Sequence, residues 1–422
     1  MSAPDATWQC PSPVEGIVPF QALSATLWIL FLFGISSAVR SLLPETENVE
    51  RFFWLPADLI VVIWVMRCSG DALAMMEKNI VLILWAALAC ISALWSLAPS
   101  MSLYHGAQLL MTILVGFMLC ATWPGIRILQ FLFLALLTAQ LLSLVMVAFK
   151  PSWGIAPWGE WKGAFTHKNE LASMMALQII AALMLFLYGW RRMLTGVALA
   201  LAVLLLVMSR SGTGLIALLV GLSLLPLALA YSRSMSLFSM CAGLLLMFCA
   251  ALITGIALSS IDIVELAVDG LGKDITLTGR TVLWDFGIEA FLERPWLGHG
   301  FKGYWESPHT TALNLHFVMG QELWFFHNLF VEVAVAFGVM GPILLAAGLF
   351  VAFRRALATF AAERTSVSLW PLLFILFLVP YVLAENPLFQ NHGLLQLLFV
   401  VAMCARFDSG ARELRTGKDG RE

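Results

Sequence analysis

Three long apolar runs follow one another in LASMMALQIIAALMLFLYGWRRMLTGVALALAVLLLVMSRSGTGLIALLVGLSLLPLALAY, residues 171–231. Each run is close to the roughly 20 apolar residues that a helix needs to cross a bilayer, and only short polar turns separate them. A lipid-exposed segment has no water to pair its backbone groups, so a spanning run of this kind must be helical. The stretch predicts an all-α integral membrane protein.

The composition of the whole chain agrees with this stretch. Of its 422 residues, 61% are hydrophobic and 12% are charged, whereas soluble domains are about 45–50% apolar and about 25% charged. These values exclude a soluble globular enzyme. The formal net charge of −2 provides no basic surface for nucleic acid.

Apolar runs recur along the chain, and dividing them at their polar interruptions predicts about twelve transmembrane helices. Residues 1–422 are therefore predicted to form a single polytopic membrane domain. The predicted spans are 20–43, 52–66, 79–97, 103–122, 127–149, 170–190, 193–208, 212–231, 235–259, 327–350, 368–384 and 389–406.

One long hydrophilic insertion, 260–326, lies between the ninth and tenth predicted spans. Cytoplasmic loops of membrane proteins are enriched in Lys and Arg, and the distribution of the 24 Lys and Arg over the predicted loops favours a cytoplasmic N-terminus. Both termini are then cytoplasmic, and the insertion is a large outward-facing loop. Within it, residues 281–294 predict a helix that lies along the membrane surface.

Two short polar segments lie at the outer ends of predicted spans six and eight. In GAFTHKNELA, residues 163–172, Thr166 is predicted to cap the next helix, and Lys168 lies beside its N-terminus, where an anion is favoured. In SRSGTG, residues 209–214, Arg210 and backbone N–H groups predict an oxyanion site. The alternatives are a cap alone at the first segment and a snorkelling arginine at the second.

Two further candidates flank the insertion. Arg280 opens the predicted surface helix, where a cation opposes the helix dipole unless an anion is bound nearby. The alternative for Arg280 is a salt bridge to Asp274 or Asp285. His327, followed by Asn328, starts the tenth predicted span, and it is either a structural cap or the proton acceptor for a hydroxyl group.

The span count places Lys168, Arg210, Arg280 and His327 at the same outer face, although they are far apart in sequence. Cations at a lipid–water boundary suit a lipid-linked diphosphate, which they would hold and stabilise as a leaving group. His327 would accept the proton of an attacking sugar hydroxyl. The predicted substrate-binding residues are Lys168, Arg210, Arg280 and Asn328, and the predicted catalytic residues are Arg210, Arg280 and His327.

Three motifs resemble those of the bacterial superfamily of O-antigen ligases and O-antigen or exopolysaccharide polymerases. They are Ser-Arg-Ser-Gly at 209–212, Gly-Arg-x-x-x-Trp at 279–284, and His327-Asn328 followed nine residues later by Gly338-Val-Met-Gly. The segment Thr-His-Lys-Asn at 166–169 looks closer to the exopolysaccharide-polymerase branch.

The resemblance implies a GT-C-like glycosyltransferase of the bacterial inner membrane whose active site faces the periplasm. It implies an undecaprenyl-diphosphate-linked glycan as donor, and a lipid-linked repeat unit or a lipid A core as acceptor. It also implies inversion at the anomeric centre, with no metal and no other cofactor. Arg210 and Arg280 match the family's arginines near the diphosphate, and His327 matches its catalytic histidine, whereas Lys168 is our own extension.

Three functions stay open at this point. A polymerase, which Thr166–Asn169 favours, would transfer a glycan onto another lipid-linked repeat unit. A ligase would transfer it onto a lipid A core. A flippase or transporter of lipid-linked sugars would show inverted repeats with broken helices near the membrane midplane, and the sequence shows neither.

Overall fold

A computed structural model describes residues 29–33, 35–36, 38, 47–234, 236, 240, 280–312, 315 and 323–407, and the structural statements below concern these residues. This part of the chain is helical apart from turns, loops and one isolated antiparallel bridge between Ile155 and Trp161. The prediction of an all-α protein is confirmed. The helices, numbered in chain order, are α1 Glu47–Arg67, α2 Ser69–Lys78, α3 Ile80–Ile91, α4 Pro99–Thr122, α5 Gly125–Phe149, α6 Pro151–Gly154, α7 Lys168–Tyr188, α8 Arg192–Met208, α9 Gly212–Ser223, α10 Leu225–Arg233, α11 Arg280–Glu293, α12 Gly303–Glu306, α13 Leu329–Phe337, α14 Met340–Glu363, α15 Trp370–Val382 and α16 Leu394–Cys404.

Within the described residues, five helical segments are long and apolar enough to cross a bilayer. They are α4, α5, α7, the segment Gly212–Tyr231 formed by α9 and α10, and α14. A sixth is added if α1 and α2, which are bent by 100° at their junction, are counted as one span. The prediction of twelve spans is not confirmed, and the ninth predicted span, 235–259, lies almost wholly outside the described residues.

The predicted tenth span, 327–350, is wrong in its bounds because the helix breaks at Gly338. α13 ends at Phe337, and the long apolar helix is α14, Met340–Glu363. Gly338 adopts the left-handed φ of 63°, and a Cβ there would lie 2.4 Å from the Trp296 carbonyl carbon. A residue without a side chain is therefore required where α13 turns into α14.

α7 is the central helix, and it packs against α5, α8, α9 and α15. Most of its side chains are buried, and it ends at Gly189, whose φ of 93° forms a left-handed C-cap. With 21 residues α7 is about 31 Å long. Because tight turns join α7 to α8 and α8 to α9, the N-termini of α7 and α9 lie at the same end of the molecule.

The segment 297–303 is fastened to the connection between α3 and α4. Ser102 donates its hydroxyl to the Phe301 carbonyl over 2.7 Å, and Ser92 Oγ accepts the Phe301 N–H over 2.9 Å. The Leu97 N–H also donates to the His299 carbonyl. These long-range hydrogen bonds hold the segment, which connects α11 to α12, in place. α11 packs in turn against α13.

Candidate functional site

The carboxylate of Glu385 joins three side chains that are distant in sequence. Its Oε1 accepts a hydrogen bond from an Arg280 Nη at 3.0 Å and another from Asn169 Nδ2 at 2.9 Å. Its Oε2 lies 3.0 Å from His327 Nδ1. The four residues come from the start of α7, the start of α11, the start of α13 and the loop after α15, so the tertiary fold brings these segments to one place.

Asn169 extends this cluster to the turn before α9. Its Oδ1 accepts a hydrogen bond from Ser211 Oγ over 2.8 Å, and Ser211 Oγ in turn accepts the Gly214 N–H as the N-cap of α9. A continuous hydrogen-bonded chain therefore runs from Ser211 through Asn169 and Glu385 to Arg280 and His327. These hydrogen bonds join the starts of α7, α9, α11 and α13 and hold the helix ends in register.

Lys168 and Arg210 lie beside that chain, next to the turn that the bridge between Ile155 and Trp161 closes. Lys168 Nζ forms an ion pair with Glu160 at 2.9 Å. The Cβ position of Gly159 is 4.0 Å from an Arg210 Nη, so the guanidinium lies over this turn. Among the described residues the exposed Arg210 side chain forms no hydrogen bond or ion pair, and its donors are open to an anion.

Four helices, α7, α9, α11 and α13, begin at this cluster. Their free N–H groups and positive dipole ends favour a negative charge at this place. His167, Ser211 and Asn328 are the N-caps of α7, α9 and α13. The predicted capping residue of α7, Thr166, is wrong by one position, because its hydroxyl bonds to the Glu170 carboxylate instead.

His327 and Arg210 share an unusual backbone position. Each lies immediately before an N-cap residue and adopts a left-handed φ, 51° for His327 and 50° for Arg210. This conformation is costly for a residue with a side chain and persists only where the surroundings enforce it. Glu332 of α13 supplies part of that enforcement, because its carboxylate accepts the Phe326 N–H and the Trp305 indole N–H.

The loop that carries Glu385 is itself anchored at several points. Phe389 donates its N–H to Gln396 Oε1 at 2.8 Å, and the His392 N–H donates to Thr112 Oγ1 at 2.9 Å. The His392 ring lies 3.2 Å from Asp58 Oδ1 and stacks on Trp54. These contacts tie the loop to α1, α4 and α16, and they restrict the position of Glu385 within it.

The carboxylates of the site are held in their charged form. Burial by itself raises the pKa of Glu385, but the hydrogen bond and charge of His327, the charge of Arg280 and the Asn169 bond outweigh it, and the net pKa is lowered. The hydrogen bond from Lys168 lowers the pKa of Glu160, and the charge of Arg210 lowers it further. Both carboxyl groups are therefore ionised at neutral pH.

Three permanent cations, Lys168, Arg210 and Arg280, lie at the site beside the carboxylates of Glu160, Glu170 and Glu385. Among the described residues, Arg280 keeps further guanidinium N–H donors beyond the one that Glu385 takes. Within the described part of the chain no group of three or more His, Cys, Asp or Glu side chains is arranged to hold a metal ion. The side chains present are those that bind an anion.

The structure brings the sequence-predicted residues to one region in different ways. Arg280 and His327 meet at Glu385, whereas Lys168 and Arg210 are connected to them through their neighbours Asn169 and Ser211. Asn328 caps α13, and its Oδ1 accepts the N–H groups of residues 330 and 331. Arg280 does form a salt bridge, but its partner is Glu385 rather than Asp285, and Asp274 lies outside the described residues.

Sequence reasoning missed Glu385, the residue that connects the others. One signal was available, because Glu385 stands between the eleventh and twelfth predicted apolar runs, which alternate counting places at the same outer face as the candidates. Ser211 and Asn169 were also seen only as parts of their motifs. Their role depends on a contact across 42 positions, which no local pattern reports.

Comparison with known proteins agrees with the motifs. Residues 197–346 match the family described as O-antigen ligase, and this region includes Arg210, Arg280 and His327. The chain is also 33% identical over 280 residues to the exopolysaccharide production protein ExoQ of Rhizobium meliloti (strain 1021). That alignment covers 63% of the chain and 62% of the relative, so the chain matches less than two thirds of the relative's length. Over these residues the chain is similar to the O-antigen ligase family and to this exopolysaccharide production protein, and its helices are those of a multi-pass membrane protein.

Proposed function

We propose that the chain is a membrane glycosyltransferase that transfers a glycan from undecaprenyl diphosphate to an acceptor sugar, and so extends a surface polysaccharide. The cluster of Arg280, Glu385 and His327 is the observation that carries the proposal. It combines a cation for a diphosphate with an imidazole that is oriented by a carboxylate. The relative, which is named for exopolysaccharide production, favours a polymerase.

The bound diphosphate would lie among the helix N-termini and the three cations. Arg210, with its open donors, and the remaining donors of Lys168 and Arg280 would contact its oxygens. Donors that are already oriented before the reaction stabilise the charge that develops on a leaving group without a reorganisation cost. The resemblance to the superfamily supports direct displacement at the anomeric carbon, with inversion.

His327 would activate the acceptor. The ionised Glu385 carboxylate only accepts hydrogen bonds, so the Nδ1 of His327 carries the proton between them. Neutral His327 then presents a lone pair on Nε2, which accepts the proton of the attacking hydroxyl. Glu385 fixes the tautomer and the ring orientation, and it stabilises the imidazolium that forms.

A ligase is the second candidate function, because residues 197–346 match a family described as O-antigen ligase. The two functions differ only in the acceptor. We propose the periplasmic side of a bacterial inner membrane as the location of the site in both cases, with both termini in the cytoplasm, residues 1–422 as one polytopic domain and residues 260–326 as the periplasmic loop.

An acceptor test with purified protein separates the two functions. Protein is incubated with a lipid-linked repeat unit, with and without lipid A core, and the glycan products are sized. Elongation without lipid A core is the result expected for a polymerase, and transfer only when the core is present would establish a ligase. No transfer to either acceptor, by protein that is folded, would contradict both.

A further inference from the structure

His167 is a second imidazole at the site that the proposed reaction does not yet use. It is the N-cap of α7 and has an extended backbone, with φ −133° and ψ 148°. Its Nδ1 accepts the Asn169 N–H over 3.2 Å. A ring nitrogen that accepts a hydrogen bond carries no proton, so neutral His167 carries its proton on Nε2.

The tautomer of His327 is the opposite one. Its Nδ1 donates to the Glu385 carboxylate, which leaves the lone pair on Nε2. One neutral imidazole therefore carries its lone pair on Nε2, and the other carries an N–H group there. In many active sites, neighbouring contacts hold two titratable groups in opposite protonation states, so that one group acts as the acid and the other as the base.

Both imidazoles are connected to Asn169. Its backbone N–H donates to His167, while its side-chain amide donates to Glu385, whose second oxygen meets His327. His167 is exposed, and its Nε2 makes no hydrogen bond to any described residue. The Nε2–H group is thus free to contact a bound substrate.

The surroundings keep His167 neutral. Partial burial lowers its pKa, and the charges of Lys168 and Arg280 lower it further, against the opposing effect of Glu385. Protonation of Nδ1 would also break the capping bond to Asn169. A neutral imidazole that donates from Nε2 is therefore the state at neutral pH.

We propose that His167 is a further catalytic residue, whose Nε2–H donates a hydrogen bond to the departing diphosphate oxygen of the lipid-linked donor; this inference rests on the proposed function. The bond from the anomeric carbon to that oxygen breaks, and its electron pair goes to the oxygen. The acceptor hydroxyl oxygen bonds to the anomeric carbon, and its proton passes to His327 Nε2. His167 gives up no proton and remains neutral.

Two substitutions separate donation from capping. The Asn amide of His167→Asn occupies the position of Nδ1, and Asn is among the best N-cap residues, so this variant keeps the cap and loses the donor. The longer amide of His167→Gln reaches the position of Nε2 but caps poorly. Thr166→Ala is the control, because among the described residues the side chain of this exposed neighbour bonds only to Glu170.

The measurement is the initial rate of glycan extension by the purified full-length chain in detergent, together with its thermal unfolding midpoint. We expect kcat of His167→Asn to fall by about 10²-fold, the effect of removing one preorganised donor. We expect His167→Gln to keep a higher kcat than His167→Asn but a lower unfolding midpoint, and Thr166→Ala to match the wild type. The inference is overturned if His167→Asn retains the wild-type kcat, or if the rates of the two variants follow their unfolding midpoints.

His327→Ala in the same assay distinguishes this inference from the proposed function. An inactive His327→Ala beside a fully active His167→Asn would overturn only the role of His167. Wild-type extension by His327→Ala would overturn only the role of His327 as the base, whereas no extension by folded wild-type protein would overturn the proposed function, and the inference with it.

Discussion

Glu385 bonds to both Arg280 and His327 in the candidate site. We expect its substitution to lower the free energy of unfolding by an amount that depends on pH. In Glu385→Gln the Arg280 guanidinium loses a partner whose side chain is only 10% exposed. We expect a loss of about 2 kcal/mol in the free energy of unfolding at neutral pH, the usual contribution of a hydrogen bond to a charged group.

The sign of the pH dependence follows from the lowered pKa of Glu385. The pKa of a glutamate carboxyl group in the unfolded chain is about 4.3. When its pKa is lower in the folded chain, the group stabilises the folded state in full at any pH above about 4.3. The contribution disappears as the pH falls through the folded pKa. The difference in thermal unfolding midpoint between wild type and Glu385→Gln should therefore shrink when the pH is lowered from 7 to below 4. An unchanged difference would contradict this assignment.

The residues of the site differ in how far the sequence could predict them. Arg280 and His327 could be found because each stands in a motif, and Arg280 in addition because a cation at a helix start opposes the helix dipole. Glu385 could not be found in this way. It meets Arg280 and His327 across 105 and 58 positions, and its neighbourhood contains only the end of an apolar run.

At the scale of helices, Asn169 should couple α7 to α9 energetically. Asn169→Ala removes the bonds to Ser211 and Glu385, and Ser211→Ala removes the same Ser211 contact together with the cap of α9. We expect the free energies of unfolding of the two single variants and the double variant to give a coupling of about 1 kcal/mol.

Ser223→Ala is the matched control for this double-mutant cycle. Ser223 lies at the other end of α9, and its hydroxyl bonds only to the Val220 carbonyl. Its effect should add to that of Asn169→Ala without coupling. Additive effects for Asn169→Ala and Ser211→Ala as well would show that the two helix ends are not joined as described.

The break between α13 and α14 predicts the effect of a single methyl group. In Gly338→Ala the new Cβ would lie 2.4 to 2.5 Å from backbone atoms of residues 295 and 296, at a φ of 63°. We expect a loss of more than about 2 kcal/mol in the free energy of unfolding, since the combination of φ 63° and ψ −151° is almost confined to glycine and costs another residue about 1–3 kcal/mol. Gly70→Ala, which has nothing within 4 Å of its Cβ, should leave the unfolding midpoint unchanged or raise it.

The same break explains where prediction of the helices from sequence fails. Length and apolar content predicted α4, α5, α7 and α8 to within a few residues, because these helices coincide with uninterrupted apolar runs. The run around Gly338 is equally apolar on both sides. Its bend depends on the close approach of the backbone at residues 295–296, a tertiary contact that hydropathy does not report.

At the scale of the whole molecule, the proposed topology places the candidate site and the turn between α7 and α8 on opposite sides of the membrane. Trp158 and Met193 are suitable probes because they are 85% and 87% exposed. In a cysteine-free background, Trp158→Cys should react with a membrane-impermeant thiol reagent in intact cells with a permeabilised outer membrane. Met193→Cys should react only after the inner membrane is opened, and the reverse pattern would invert the topology.

The central claim is that one cluster of side chains holds a lipid diphosphate and removes the proton of an attacking sugar. The most direct test is glycan extension by purified wild-type and His327→Ala protein, at equal concentration and with equal unfolding midpoints, on a lipid-linked repeat unit. We expect elongated lipid-linked glycan with the wild type and a rate at least about 10²-fold lower with His327→Ala. Equal extension by the two proteins would contradict it.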